Sequence, residues 1–234
     1  MIVARFTRPP RRTLLSRSLP KDRGSGDDHY AIGLGGRALA LCDGASEGWD
    51  GAGWAAALAS ALVRFEEPQE AVAAARAQRR KDAVRGDWLT SAAQARGSWS
   101  TALALHLSPD GREAQAAAVG DTVLFILDGC EPLSSFPLDD PGAFGSTPEL
   151  VAENGDEELR FHRASFSLRG LKRPRLALVS DALAARALAE PRLGRRALWA
   201  FILGASDAAF KAWVGAETDA GRLRRDDLTI LAAL

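Results

Sequence analysis

Short apolar runs broken by turn residues dominate this chain, and the strongest of them come in closely spaced pairs. "HYAIGL" and "ALALC" are separated by only a few residues, with "GGR" at their centre. "STALALHL" is followed by "SPDG" and "EAQAAAVG", which runs directly into "DTVLFIL" and a second turn at "DG". Proline presets φ, and glycine and aspartate tolerate positive φ, so Pro-Asp-Gly and Asp-Gly are turns with a mechanism. Strands joined this tightly are antiparallel, because a parallel crossover needs about a dozen residues or more. "RLALVS" and the C-terminal "DLTILAAL" read as two further buried strands. Helical spacing takes over in three places. In "GAGWAAALASALVRF", Trp54, Leu58 and Leu62 fall on one face at i, i+4 and i+8. The charged, Ala-rich stretch from "EPQEAVAAARAQ" to "LTSAAQAR" predicts one or two surface helices, and "SDALAARALA", "RRALWAFILG" and "SDAAFKAWVGAE" predict a helical run before the last strand. Residues 132–157, rich in Pro, Gly, Ser and acids, predict a long irregular insertion. There is no βαβ alternation and no internal repeat. The predicted class is α+β, an antiparallel sheet flanked by helices, with two sheets packed face to face.

Composition narrows the function. With 234 residues, 47% of them hydrophobic, the chain can bury one large core. Thirty basic residues balance thirty acidic ones without long like-charge runs, which argues against a nucleic-acid binder that grips phosphates by bulk charge. The exception is the basic "TRPPRRTLLSR", read as a solvated, partly frayed terminus. Residues 1–22 are therefore expected to form an arm with a first strand, and 23–234 a single domain. No apolar stretch reaches membrane-spanning length and no secretory signal is visible, so a cytoplasmic, monomeric protein is expected, with no membrane partner. Cys42 and Cys130 cannot make a disulfide framework, and Cys42 reads as a small buried hydrophobe.

The candidate chemistry lies in where the apolar runs stop. "LALCDG" and "LALVSDAL" both finish on an aspartate, Asp43 and Asp181, although a buried charge is costly unless it is paired or holds a metal. Asp27 and Asp28 open one strand, Asp226 and Asp227 open the last, and Asp121 sits in the tight "VGDT" junction. Any one of these acids could be a turn or cap residue, and Asp181 could cap the helix that follows it. Together, acids at the rim of a rigid sheet can converge on one point, as a hard divalent cation requires. "GLGG" at 33–36 lies between two strands and no phosphate-binding GxxxxGK[ST] occurs, so it reads as a hairpin turn rather than a nucleotide loop.

"RGSGDDHYAI" from Arg23, "LCDG" at Asp43 and Gly44, "STALAL" from Ser100, "AVGDTVLFIL" around Asp121, "LALVSDAL" at Asp181 and "RRDDLTIL" at Asp226 occur in one fixed order. In this the chain resembles the metal-dependent protein phosphatases of the 2C type (the PPM family), and "ASEGWDGAGWAA" most resembles their bacterial branch. The resemblance runs from about residue 23 to the C-terminus. It implies an αββα sandwich with two Mn²⁺ or Mg²⁺ ions at one end, and a third through Asp139 or Asp140. It implies that Asp43 bridges the two metals, that the Gly44 carbonyl completes one, that Asp181 and Asp226 serve the first and Asp28 the second, and that Arg23 binds phosphate. Eukaryotic members use the acid one position earlier, here Asp27. The implied activity is hydrolysis of phosphoserine or phosphothreonine in a phosphoprotein of a kinase-signalling system by a metal-activated water. Asp121 is expected to be structural. The chain departs from the family at Gly26 (usually Asn), at Ala182 (usually Gly), at Ala45, near which some members carry a histidine, and in the 132–157 segment. The competing reading is a pseudophosphatase of the same fold that binds phosphoproteins without hydrolysing them.

Overall fold

Leucine and alanine divide the strands between them, and that division builds the layers. A computed structural model describes residues 13–21, 26–82, 94–145, 147–155 and 159–234. In chain order the elements are β1 (Leu14–Leu19), β2 (Asp28–Gly33), β3 (Ala38–Asp43), α1 (Gly51–Leu62), α2 (Pro68–Asp82), β4 (Trp99–Ser100) and β5 (Ala102–Leu107). There follow β6 (Glu113–Val119), β7 (Val123–Asp128), β8 (Glu131–Phe136), β9 (Val151–Ala152), β10 (His162–Ser167) and β11 (Pro174–Val179). The chain closes with α3 (Asp181–Ala189), α4 (Arg192–Gly204), α5 (Asp207–Asp219) and β12 (Leu228–Ala233). One five-stranded sheet has the order β1-β12-β11-β7-β8, the other β10-β6-β5-β3-β2, and β4 pairs with β9. Every pairing is antiparallel.

Successive side chains on a strand face opposite ways. Leu39, Leu41, Leu103 and Leu105 meet Leu124, Ile126, Leu176, Leu178 and Leu231 between the sheets. The alternate positions Ala38, Ala40, Cys42, Ala102 and Ala104 lie under Trp54, Leu58 and Leu62 of α1 and Ala71, Val72 and Ala75 of α2. On the other sheet Val123, Phe125, Ala177, Val179 and Ile230 pack against Leu183, Trp199, Ile202 and Phe210 of α3, α4 and α5. Both faces of the central strands are covered, which explains their unbroken apolar runs. The result is the expected αββα sandwich. "GLGG" is the hairpin turn foreseen: four residues, 34–37, link the paired Gly33 and Ala38, with positive φ at Leu34 (50°), Gly35 (65°) and Gly36 (90°).

Two expectations are corrected. Residues 132–157 are not wholly irregular: Glu131–Phe136 form the edge strand β8, with Pro132 next to a register shift at Ile126/Leu127. Proline is tolerated there because an edge needs fewer N–H donors. A 3₁₀ turn, Pro141–Ala143, and β9 follow. The second correction concerns the basic terminus, part of which is structural. Thr13 to Leu19 line the edge of a sheet, and the Arg17 side chain, 8% exposed, ion-pairs with Asp207. Its guanidinium donates to the carbonyls of Ile202 and Ala205 at the end of α4 and lies over the Phe210 ring. Leu15 and Leu19 pack on the same core, so the strand alternates inward at 15, 17 and 19. No described helix is long and apolar enough to cross a membrane.

Arg17 supplies the donors for carbonyls that a helix end leaves unpaired. Arg17→Ala is expected to lower the unfolding free energy by about 1–3 kcal/mol, read by urea denaturation. An unchanged midpoint would contradict this role.

Candidate metal centre

At one end of the sandwich the strands deliver their aspartates together. Asp28, the first residue of β2, stands directly opposite Asp43, the last of β3. Like charges in that register repel. The Asp28 side chain is buried, and neither carboxylate oxygen has a hydrogen-bond partner among the described residues. Burial pushes its pKa from the ordinary 3.8 up to about 7, with the charges of Asp227 and Asp226 adding. The Thr229 and Ser180 hydroxyls oppose this only in part. Their protons are committed elsewhere, Ser180 Oγ to the Asp227 carbonyl at 3.2 Å and Thr229 Oγ1 to Ser18 Oγ at 3.0 Å. Asp43 is likewise held well above the carboxylate range by burial first, then by Asp28, Asp226, Asp121 and Asp227. Its backbone is fixed on both sides: its N–H donates to Thr101 Oγ1 (2.9 Å), and its carbonyl accepts from Thr101 N–H (2.9 Å) and Ser100 Oγ (2.9 Å).

The other sheet supplies the remaining acids. Asp181 follows β11 as the first residue of α3, and its Oδ1 accepts from the Ala182 N–H at 2.5 Å. It therefore serves its helix N-terminus, while its Oδ2 is ion-paired with Arg224 Nη2. Asp226 Oδ2 lies 3.1 Å from the same Nη2, and its Oδ1 lies 3.7 Å from Lys21 Nζ. Asp121 is buried, and burial raises its pKa; the Arg224 charge opposes that and Asp226 adds to it. Asp227 has a different task, which sequence reasoning missed. Its carboxylate accepts from the backbone N–H of Lys21 (2.6 Å) and of Asp27 (2.6 Å), tying down the segment that leads into β2. It also explains Gly26: a Cβ there would come within 2.8 Å of Asp227 Oδ2. Asp27, the alternative to Asp28, accepts from Ser46 Oγ at 2.7 Å.

Gly44 is required by close approach, since a Cβ on it would stand 2.5 Å from both the carbonyl carbon and oxygen of Gly51 at the start of α1. Its N–H donates to the Asp27 carbonyl at 3.1 Å. Arg23 lies outside the described residues. None of the histidines joins the acids as a group that could hold an ion; His106 Nε2 meets the Leu62 carbonyl at 2.9 Å on the helix side of its sheet. Asp140 caps the 3₁₀ turn through the Gly142 N–H (2.9 Å). Among the described residues, no three Asp, Glu, His or Cys side chains are grouped closely enough to hold an ion in this arrangement. In this arrangement Asp181 and Asp226 are engaged by Arg224, and Asp227 by backbone amides. The donor set nevertheless fits a hard cation, because it is all oxygen and Asp28 carries two buried, unpartnered carboxylate oxygens facing Asp43.

No family model and no curated protein matches this chain. Solved structures do. A bacterial serine phosphatase superposes with a TM-score of 0.61 at 15% identity, over 95% of this chain and 97% of that one. The catalytic domain of the serine/threonine protein phosphatase PstP in complex with two manganese ions gives 0.57 at 18% identity, over 94% and 97%. PppA, a regulatory component of the T6SS in Pseudomonas aeruginosa, gives 0.59 at 18% identity, over 94% and 96%. The fold is therefore that of the 2C-type phosphatases.

The Asp28 carboxyl has a pH signature. Its folded pKa of about 7 lies above the ordinary 3.8, so through that window the folded chain keeps a proton the unfolded chain has lost. The metal-free protein thus loses stability as pH rises across it. With chelator present, the melting temperature of the wild type is expected to fall more steeply between about pH 5 and pH 8 than that of Asp28→Asn; parallel curves would contradict the assignment.

Proposed function

We propose that this chain is a metal-dependent phosphatase acting on phosphoserine or phosphothreonine in a phosphoprotein. The observation that carries the reading is the buried, unpartnered carboxylate of Asp28 facing Asp43, at the end of a sandwich shared with phosphatases of that type. In this reading Asp43 and the Gly44 carbonyl, with Asp28 on one side and Asp181 and Asp226 on the other, hold two Mn²⁺ or Mg²⁺ ions. Bound there, such ions neutralise the carboxylates, make a water more acidic and draw charge from the phosphoryl oxygens.

The chain's own residues do the rest. Thr101 and Ser100 fix the Asp43 backbone, which anchors the base of that side chain at the strand end. Arg23 supplies a planar fork for phosphate oxygens, which a lysine could not match. Nucleophilic catalysis by the neighbouring cysteine is ruled out, since Cys42 is fully buried on the helix side of its sheet and burial raises its thiol pKa strongly. A phosphoprotein substrate agrees with the serine/threonine protein phosphatase that shares the fold. One observation favours the competing reading of a phosphoprotein-binding pseudophosphatase: the Arg224 guanidinium lies between Asp181 and Asp226, where the first ion would sit.

Hydrolysis of a phosphothreonine peptide, measured with Mn²⁺, with Mg²⁺ and with chelator, separates the two. Turnover is expected only with metal, and Asp43→Asn is expected to lower it by about 100-fold or more. Peptide binding without turnover under every metal condition would establish the pseudophosphatase instead.

A further inference from the structure

Arg224 has no role in the metal-dependent reading above, yet it pairs with two acids of the candidate centre. Its Nη2 touches Oδ2 of both Asp181 and Asp226, joining the two acids that would serve one ion. The exposures of the partners are unequal: the Asp181 side chain is 9% exposed and that of Arg224 51%. The acid is held in place by burial and by its bond to the Ala182 N–H, whereas the cation stands half in water. Without a positive partner Asp181 would be a buried, uncompensated anion, which is strongly unfavourable. With a divalent ion in contact with the same two carboxylates, the guanidinium would become a like charge at close range. Arginine cannot relieve that by losing its proton. It can relieve it by moving, because it already borders a cavity of about 280 Å³ between Pro141, Phe144, Ala182, Ala185 and Arg222.

We propose that Arg224 is a built-in counter-cation for Asp181 and Asp226, which holds this half of the centre together in the metal-free protein and which a divalent ion must displace in order to bind. The inference rests on the metal-dependent reading of the site and extends it. Arg224 preserves the fold when metal is scarce and weakens metal affinity in return, so that occupancy of the centre follows the free ion concentration over a higher range. Among the described residues, the ion pairs of Arg224 and Lys21 are with Asp181 and Asp226 and not with Asp28 or Asp43 on the other sheet.

The test is calorimetric titration of the full chain with Mn²⁺, comparing wild type with Arg224→Gln, together with melting temperatures in chelator. Arg224→Gln is expected to bind Mn²⁺ about tenfold tighter or more, the equivalent of one charge-assisted pair, and to melt lower than wild type in chelator. Equal or weaker affinity in Arg224→Gln overturns the inference and leaves the phosphatase reading standing. Absence of Mn²⁺ binding in both proteins overturns the metal-dependent reading and this inference with it. Should Arg224→Gln fail to fold, Arg224→Lys keeps the charge but loses the fork. It is expected to bind Mn²⁺ several-fold tighter than wild type, and an affinity equal to wild type would overturn the proposal.

Discussion

Two carboxylates facing each other across an antiparallel pair, one buried and one half-buried, set the terms for the rest of this structure. Asp28 and Asp43 occupy opposed positions at the end of β2 and β3, and burial holds both carboxyls above their usual range. A sheet does not gain stability from such a pair. Asp121, Asp181, Asp226 and Asp227 add to the crowding, against the ion-paired cations Arg224 and Lys21. Among the described residues, the carboxylates at this end of the sandwich outnumber the cations paired with them.

The sandwich makes that crowding possible. Strand ends from both sheets meet at one edge only because the sheets are held face to face by the leucine layer, while the alanine face on one side and the valine, phenylalanine and isoleucine face on the other accept helices. The hydroxyls of Thr101, Thr122, Ser180 and Thr229 then act as spacers beneath the acids. Thr101 and Thr122 bond each other at 2.7 Å, and Ser180 Oγ accepts from the Thr229 N–H at 2.9 Å. With these polar groups satisfied, the strand ends are rigid. The carboxylates, and not the backbone, are left to respond to what binds.

Local pattern revealed most of this architecture. Short apolar runs joined by tight Pro-Asp-Gly and Asp-Gly turns gave the antiparallel strands, the spacing of Trp54, Leu58 and Leu62 gave α1, and apolar runs ending on Asp43 and Asp181 pointed to the site. What stayed hidden depends on contacts between residues far apart in the chain. Arg17 in the basic terminus reads as solvated until the carbonyls of Ile202 and Ala205 are found beside it. Gly26 reads as a lost side chain until Asp227 is seen filling its space. The pairing of Arg224 with Asp181 spans forty-three positions, and only the doubled arginine before the doubled aspartate hinted at it. β8 was concealed by its Pro and Ser content, which an edge strand tolerates and a central strand does not.

The central claim is that these aspartates are aimed at two cations. The most direct measurement is a crystal structure of the full chain grown with Mn²⁺, with the ions located by their anomalous scattering. The account requires two peaks, one within coordination distance of Asp28, Asp43 and the Gly44 carbonyl and one within reach of Asp43, Asp181 and Asp226, with Arg224 turned away from the second. Clear density for the aspartates with no anomalous peak among them, and Arg224 still joined to Asp181 and Asp226, would contradict it.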